Sequence, residues 1–161
     1  MSIRLKKFSY RYAEEVFNAK LGIKNELEDI LYDCTKDLSV LSRPEFNRIL
    51  DAEFKKRGWM CQPQVFDNDD DAYARFDFMK DRIGVEVQFG HASFIGIDLL
   101  KFQVASYSGL DSIDFGIYIS NIVSVDTFIK HNPSITKSSS LSTCILVSFN
   151  SLYFGLFSKF A

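Results

Sequence analysis

The sequence predicts an α/β fold, because the pattern of a strand, then a helix, then a second strand can be read along its middle. From Ile83 to Phe89 apolar residues alternate with small or polar ones, as in a half-buried strand. Residues 93–107 have the apolar spacing of a helix, and residues 112–120 alternate again. Elements in this order indicate a right-handed crossover and an α/β sheet.

Two helices are predicted upstream of this unit. The first extends from Ile23, and Ser42 with Glu45, together with Pro44 in the first turn, predicts the start of the second by a capping box. Gly58 is expected to end that second helix. The residues expected to face the core are Leu27, Ile30, Leu31 and Cys34 on the first helix and Phe46, Ile49, Leu50 and Phe54 on the second.

Two more strands are expected, at residues 75–79 and 143–149. The earlier one would turn back through residues 80–82 to pair with the strand at 83–89. The helix at 93–107 is expected to bury an apolar side made of Phe94, Ile97, Leu100 and Val104.

Length and composition fit one domain over residues 1–161. The chain has 161 residues, of which 47% are hydrophobic and 16 are Phe, enough for a sizeable core. It contains no apolar run of about 18 residues and begins with a polar segment, so neither a membrane span nor a secretory signal is predicted. We therefore expect a cytoplasmic protein. The three cysteines have no paired spacing and are expected to stay reduced.

The net charge of −2 is not that of a protein that coats nucleic acid through bulk positive charge. An acidic run at residues 67–71 is typical of a solvated loop. Basic clusters at residues 4–11, 55–57 and 80–82 are candidates for phosphate contacts, and ordinary surface patches are the alternative. This balance suits a protein that selects its target by base contacts.

The candidate catalytic residues lie around the strand at 83–89. Asp77 precedes Glu86 by nine positions, and Glu86 and Gln88 project to the same face of the strand. Two carboxylates held close together form a hard-oxygen site of the kind that suits Mg²⁺. The arrangement predicts metal-dependent hydrolysis of phosphodiesters, and the alternative is a chance pairing of acids.

The same segment resembles a known family. The run DFMKDRIGVEVQFGHASF, continuing through DLLKFQVASY to DSIDFGIYI, is similar to the type II restriction endonucleases of the BglII and BstYI kind, within the PD-(D/E)XK nuclease superfamily. The resemblance covers about residues 42–126, which would form the catalytic core. It implies an α/β (α+β) fold with a central mixed sheet flanked by helices. Most of the superfamily has Lys where this chain has Gln88.

The resemblance also implies roles. Asp77, Glu86 and the main-chain carbonyl of Val87 would hold Mg²⁺, and Gln88 would orient the attacking water as a neutral amide. The implied substrate is double-stranded DNA at a short palindrome with a GATC core. A palindrome implies a two-fold homodimer, and a cognate DNA methyltransferase would protect the host.

Alternatives remain at the level of the sequence. A repair or nicking nuclease of the same superfamily would keep the same residues and cut one strand as a monomer. A DNA-binding remnant without cleavage is the other, because the closing SLYFGLFSKFA departs from the family pattern and the C-terminal part is expected to be shortened or altered. Glu53 could also reach the site, with a surface role as the alternative, and His91 is a candidate auxiliary base or phosphate contact. The resemblance places the helix at 93–107 near the dimer interface or the DNA, so Asp98 and Lys101 would contact partner or substrate, and a solvated helix face is the alternative.

Overall fold

The computed structural model describes residues 6–9, 13–35, 43–65, 75–89, 94–107, 112–120 and 143–147. Several sequence predictions fall outside these ranges. They concern Ser42, the acidic run at 67–71, His91, and the chain after residue 147.

The described part of the chain contains four helices and six strands, and the strands form one sheet. The helices are α1 (Ala13–Ala19), α2 (Leu21–Thr35), α3 (Arg43–Lys56) and α4 (Ile95–Tyr107). The strands are β1 (Lys6–Phe8), β2 (Met60–Cys61), β3 (Phe78–Lys80), β4 (Ile83–Gln88), β5 (Phe115–Ser120) and β6 (Thr143–Val147).

The sheet is mixed, as the family resemblance implies. Its six strands lie in the order β1-β6-β5-β4-β3-β2. The pairs β4 with β5 and β1 with β6 are parallel, and the other three pairs are antiparallel. Because β4 and β5 are parallel neighbours with α4 between them in the chain, the predicted strand-helix-strand unit is confirmed.

One face of the sheet packs against α2 and α3. Ile83 and Val85 of β4 lie in a buried cluster with residues from both helices. Helix α3 ends where Gly58 takes a φ of 77°, with Gly58 N–H bonded to Lys55 and Trp59 N–H to Phe54. This is a Schellman motif, so the predicted stop is confirmed. Of the core residues predicted on α2 and α3, Leu27, Ile30, Leu31, Cys34, Leu50 and Phe54 are buried, and Phe46 and Ile49 pack against them.

The other face packs against α4, but not through the predicted side of that helix. Phe94, Ile97 and Leu100 are 42%, 45% and 46% exposed. The helix instead buries Ile95, Asp98, Phe102 and Ala105. The prediction was wrong because α4 has apolar residues on two sides, and the side that contacts the sheet includes a buried acid.

A tight hairpin joins β3 to β4. Asp81 and Arg82 have φ values of 47° and 65°, as the two central residues of a type I′ turn require. The predicted strand at 75–79 is observed at Phe78–Lys80, and its predicted turn is one residue shorter. In the described ranges, no helix has the length and apolar character needed to cross a membrane.

Candidate active site

The β3–β4 hairpin places Asp77 beside Glu86. Phe78 pairs with Val85 in the antiparallel register, so Asp77 comes next to Glu86 one step further from the turn. Asp77 Oδ2 accepts the main-chain N–H of Val87 at 2.7 Å. The two acids that the sequence singled out are therefore brought together, at the point where regular pairing of β3 and β4 ends.

Gln62, which the sequence did not single out, holds Asp77 from the other side. Its main-chain N–H donates to the carbonyl of Asp77 at 3.0 Å, and its side-chain amide donates to Asp77 Oδ1 at 3.1 Å. Gln62 has a φ of 53°. Because this contact depends on a local backbone conformation at the end of β2, the sequence carries no signal for it.

Glu86 is buried, with 3% of its surface exposed. Burial, reinforced by the negative charge of Asp77, raises the pKa of Glu86 to about 9, and the nearby Lys101 opposes this rise. Glu86 Oε1 has no well-aligned hydrogen bond within the described part of the chain, although it lies 2.5 Å from Lys101 Nζ. The carboxylate is therefore paired with a charge but not fully satisfied by hydrogen bonds.

Lys101 enters the site from α4. Its Nζ lies 3.1 Å from Asp98 Oδ1 and donates to the carbonyl of Arg75 at 3.1 Å, in addition to the Glu86 contact. Only 15% of its side chain is exposed. A solvated position on the helix face was the alternative for Lys101 and Asp98, and the structure instead buries Asp98 and largely covers Lys101.

Asp98 and Tyr118 are two buried residues next to Glu86. Tyr118 is the β5 residue in register with Glu86, and it is fully buried. Burial raises the pKa of Asp98, and Lys101 opposes that shift. Burial and then the charge of Asp98 raise the pKa of Tyr118. The side chains that act on Glu86 are thus two further acids, Asp77 and Asp98, and one base, Lys101.

Gln88 and Val87 lie at the end of β4, next to the acids. Gln88 is half-buried, and its main-chain carbonyl accepts the Ser120 hydroxyl at 2.5 Å. The N–H of Val87 points toward Asp77. Because N–H and C=O of one strand residue point to the same edge, the carbonyl of Val87 is directed to that edge as well.

Other candidates lie away from this site. Glu53 forms an ion pair with Arg57 on α3 and lies 3.8 Å from Lys56, so it has a structural partner in its own helix. The described side chains of the three basic clusters are each paired with an acid. These pairs are Lys7 with Glu28, Lys55 with Asp51, Lys80 with Glu26, and Arg82 with Asp114, besides the pairs of Glu53.

The cysteines have no place in the chemistry that the structure describes. Cys34 and Cys61 are free thiols, and burial raises the pKa of Cys34 to about 11. A thiol with this pKa is protonated and unreactive at neutral pH.

The acids around Glu86 fit a hard divalent cation such as Mg²⁺. The described residues contain no cluster of three or more His, Cys, Asp or Glu side chains arranged to hold a metal. Mg²⁺ needs fewer protein ligands, since it usually binds through one or two carboxylates, waters and substrate phosphates. A buried carboxylate oxygen without an aligned hydrogen bond, next to two other acids and one base, is the local feature that favours such a cation.

A mixed sheet with helices on both faces and paired acids at the end of a β-hairpin defines an α+β core of the restriction-endonuclease type. The family model for restriction endonuclease BglII/BglIII matches residues 5–145, and the chain belongs to this family of type II restriction endonucleases. It is therefore an endonuclease, with DNA as its binding partner. A search of curated proteins found no match.

Proposed function

We propose that this protein is a Mg²⁺-dependent type II restriction endonuclease that cuts both strands of duplex DNA at a short palindrome with a GATC core. The observation that carries the proposal is the placement of Asp77 beside Glu86 in a chain of the BglII family. The carboxylates of Asp77 and Glu86, with the main-chain carbonyl of Val87, are the proposed ligands.

The protein side of this site is largely built before any ion binds. Asp77 is fixed by the N–H groups of Gln62 and Val87, and each carboxylate oxygen keeps a second lone pair for an ion. Bound Mg²⁺ would polarise a phosphate oxygen of the substrate and lower the pKa of the attacking water.

Gln88 takes the position at which most of the superfamily has Lys. It projects from the same strand face as Glu86, two residues along β4. Its neutral amide can orient a water by donating and accepting hydrogen bonds, but it adds no positive charge. Gln88 is therefore proposed to position the nucleophile for in-line attack on phosphorus.

A two-fold homodimer follows from the proposed palindrome, because each active site then meets one strand in equivalent geometry. The exposed apolar side of α4, formed by Phe94, Ile97 and Leu100, supports this proposal. Large apolar side chains grouped on one helix face are typical of a surface that a partner covers. We propose a second copy of this chain as that partner.

The proposed place of the protein is a cytoplasmic restriction system with a cognate DNA methyltransferase. The GATC core is proposed from family resemblance alone, and methylation within it would block cleavage by altering the major-groove edges that the enzyme reads.

The test is digestion of a plasmid with several GATC sites in the presence of Mg²⁺ or EDTA. Wild type is expected to give discrete fragments with Mg²⁺ only, and Glu86→Ala to give none. Glu53→Ala is the matched control, since this acid pairs with Arg57 on α3, and it is expected to cut like wild type.

Each other result contradicts a named part of the proposal. Equal cleavage by Glu86→Ala and wild type overturns the proposed metal site. Nicked circles without linear product indicate a monomeric nicking nuclease, and DNA binding without Mg²⁺-dependent cleavage indicates an inactive remnant.

A further inference from the structure

Lys101 is the basic side chain of α4 that contacts Glu86. Its Nζ lies 2.5 Å from Glu86 Oε1, 3.1 Å from Asp98 Oδ1 and 3.1 Å from the carbonyl of Arg75. The contact with Arg75 is a hydrogen bond, and the contacts with Glu86 and Asp98 are ion pairs. The side chain is therefore held at one place beside the two acids.

The position of this ammonium matters because Glu86 is a proposed metal ligand. An ammonium in contact with a carboxylate occupies space next to its oxygen atoms. It also repels a divalent cation that approaches the same carboxylate. In a site where Gln88 adds no charge, Lys101 is also the basic group that acts on Glu86. An incoming cation near Glu86 Oε1 would be repelled by the ammonium of Lys101, which already lies against that oxygen.

We infer that Lys101 is a positioning residue of the active site, which holds the Glu86 carboxylate in the metal-free protein and is displaced from it by the divalent ion. This inference rests on the proposed function. Asp98, one helical turn before Lys101 on α4, gives the displaced ammonium a second carboxylate. Lys101 thereby stays near the site after the ion has bound.

This role of Lys101 accounts for two charged residues, one buried and one largely covered, on the side of α4 that packs on the sheet. Buried charges are retained at a cost in stability unless they are paired. A merely structural pair needs one acid, whereas Lys101 contacts two acids, one of which belongs to the catalytic strand β4.

The test measures binding of Mn²⁺ without DNA, by calorimetry and by the electron paramagnetic resonance signal of the free ion. Lys101→Met removes the competing charge, and we expect Mn²⁺ to bind about tenfold more tightly or better, given the strength of charge interactions at such short range. Lys101→Gln is the second variant, and it is expected to change affinity in the same direction. Lys101→Arg keeps the charge and is expected to restore affinity close to wild type.

Lys80→Met is the matched control. Lys80 is another partly covered lysine, and its Nζ contacts Glu26 at 2.8 Å and the carbonyl of Arg57 at 2.7 Å. Because Glu26 and Arg57 lie away from Glu86, loss of Lys80 is expected to leave Mn²⁺ affinity unchanged.

The outcomes separate this inference from the proposed function. If wild type binds Mn²⁺ and Asp77→Asn does not, the proposed site stands. Unchanged or weaker binding by both Lys101→Met and Lys101→Gln, in folded protein, then overturns the role of Lys101 alone. If wild type itself binds no Mn²⁺ in the absence of DNA, the inference about Lys101 fails, and the plasmid digestion decides the proposed function separately.

Discussion

Glu86 is the residue at which folding and proposed function make opposite demands. Burial and Asp77 disfavour its charged form, while Lys101 and a divalent ion favour it. Carboxyl groups with perturbed pKa values cluster at functional sites, because acids, bases and nucleophiles there need pKa values matched to their task. The negative charge of Glu86 lowers the stability of the metal-free protein, and the same charge would bind the proposed divalent ion.

This conflict predicts how stability changes with pH. The pKa of Glu86 is about 9 in the folded protein and 4.5 ordinarily, so the folded state keeps a proton that the unfolded chain releases between these values. The stabilising contribution is complete below the lower value and is lost as pH rises toward the upper one. We expect the free energy of unfolding of metal-free wild type to fall over this range in urea titrations.

Glu86→Gln isolates the effect, because the amide does not titrate. Its free energy of unfolding is expected to vary less with pH than that of wild type over the same range. Parallel pH profiles for the two proteins would show that Glu86 does not carry the raised pKa.

Gln88 can be tested separately from the metal ligands. Gln88→Ala removes the amide proposed to orient the water, so turnover is expected to fall by about a hundredfold, the order of loss that a misplaced reacting group causes. Mn²⁺ affinity is expected to stay near wild type, because the amide is not a proposed ligand. A loss of Mn²⁺ binding in this variant would instead make Gln88 a ligand.

At the residue scale, the sequence predicted that Asp77 and Glu86 would come together, and the hairpin register confirms that they are neighbours. Asp77, Glu86 and Gln88 could be proposed as site residues because strand alternation and short spacing are local properties. Lys101 and Gln62 were not assigned to the site, because their contacts form only when α4 and the end of β2 pack against the β3–β4 hairpin.

At the scale of elements, α4 is held on the sheet by a close approach to β5. A Cβ added at Gly116 would collide with the ring of Phe102 on α4. Because that ring is rigid and fully buried, it cannot yield without shifting the helix. The same helix carries Asp98 and Lys101, so this packing sets the distance between Lys101 and Glu86.

Gly116→Ala is therefore expected to lower the free energy of unfolding by about 1–3 kcal/mol, the usual cost of overpacking. Gly96→Ala is the matched change on α4, where an added Cβ meets no atom within 4 Å. It is expected to stabilise the helix by up to about 1 kcal/mol. Thermal and urea unfolding of both variants would measure these effects, and equal values would contradict the proposed packing.

The elements themselves were largely predictable, and their orientation was not. Periodicity gave α2, α3, β4 and β5 because each has one apolar side. It failed for the buried side of α4, where Ile97 and Leu100 repeat at the same spacing as the residues that face the sheet. A pattern with two apolar sides cannot decide which one faces inward.

At the scale of the whole molecule, the exposed apolar side of α4 is the proposed dimer surface. Helix α4 contacts the active site through Lys101 and presents Ile97 and Leu100 outward. In a homodimer formed through this surface, α4 alone would separate the interface from strand β4.

The mixed strand order could not be predicted from periodicity, because it depends on pairings between distant segments such as β1 and β6.

Charge on the exposed apolar side of α4 is therefore expected to dissociate the proposed dimer. Wild type is expected to sediment as a dimer in analytical ultracentrifugation and Ile97→Asp with Leu100→Asp as a monomer, since buried unpaired carboxylates oppose association. Leu21→Asp is the control, because Leu21 on α2 is 56% exposed and outside this surface. A dimer that persists in the double variant would place the interface elsewhere.

The central claim is that Asp77 and Glu86 share one divalent ion at the end of the β3–β4 hairpin. Anomalous diffraction from crystals soaked in Mn²⁺ tests it directly. The expected result is a peak at about 2.0–2.3 Å from an oxygen of each carboxylate, as hard cations of this size require. No peak between the two acids, or a peak bound by other residues, would contradict the account.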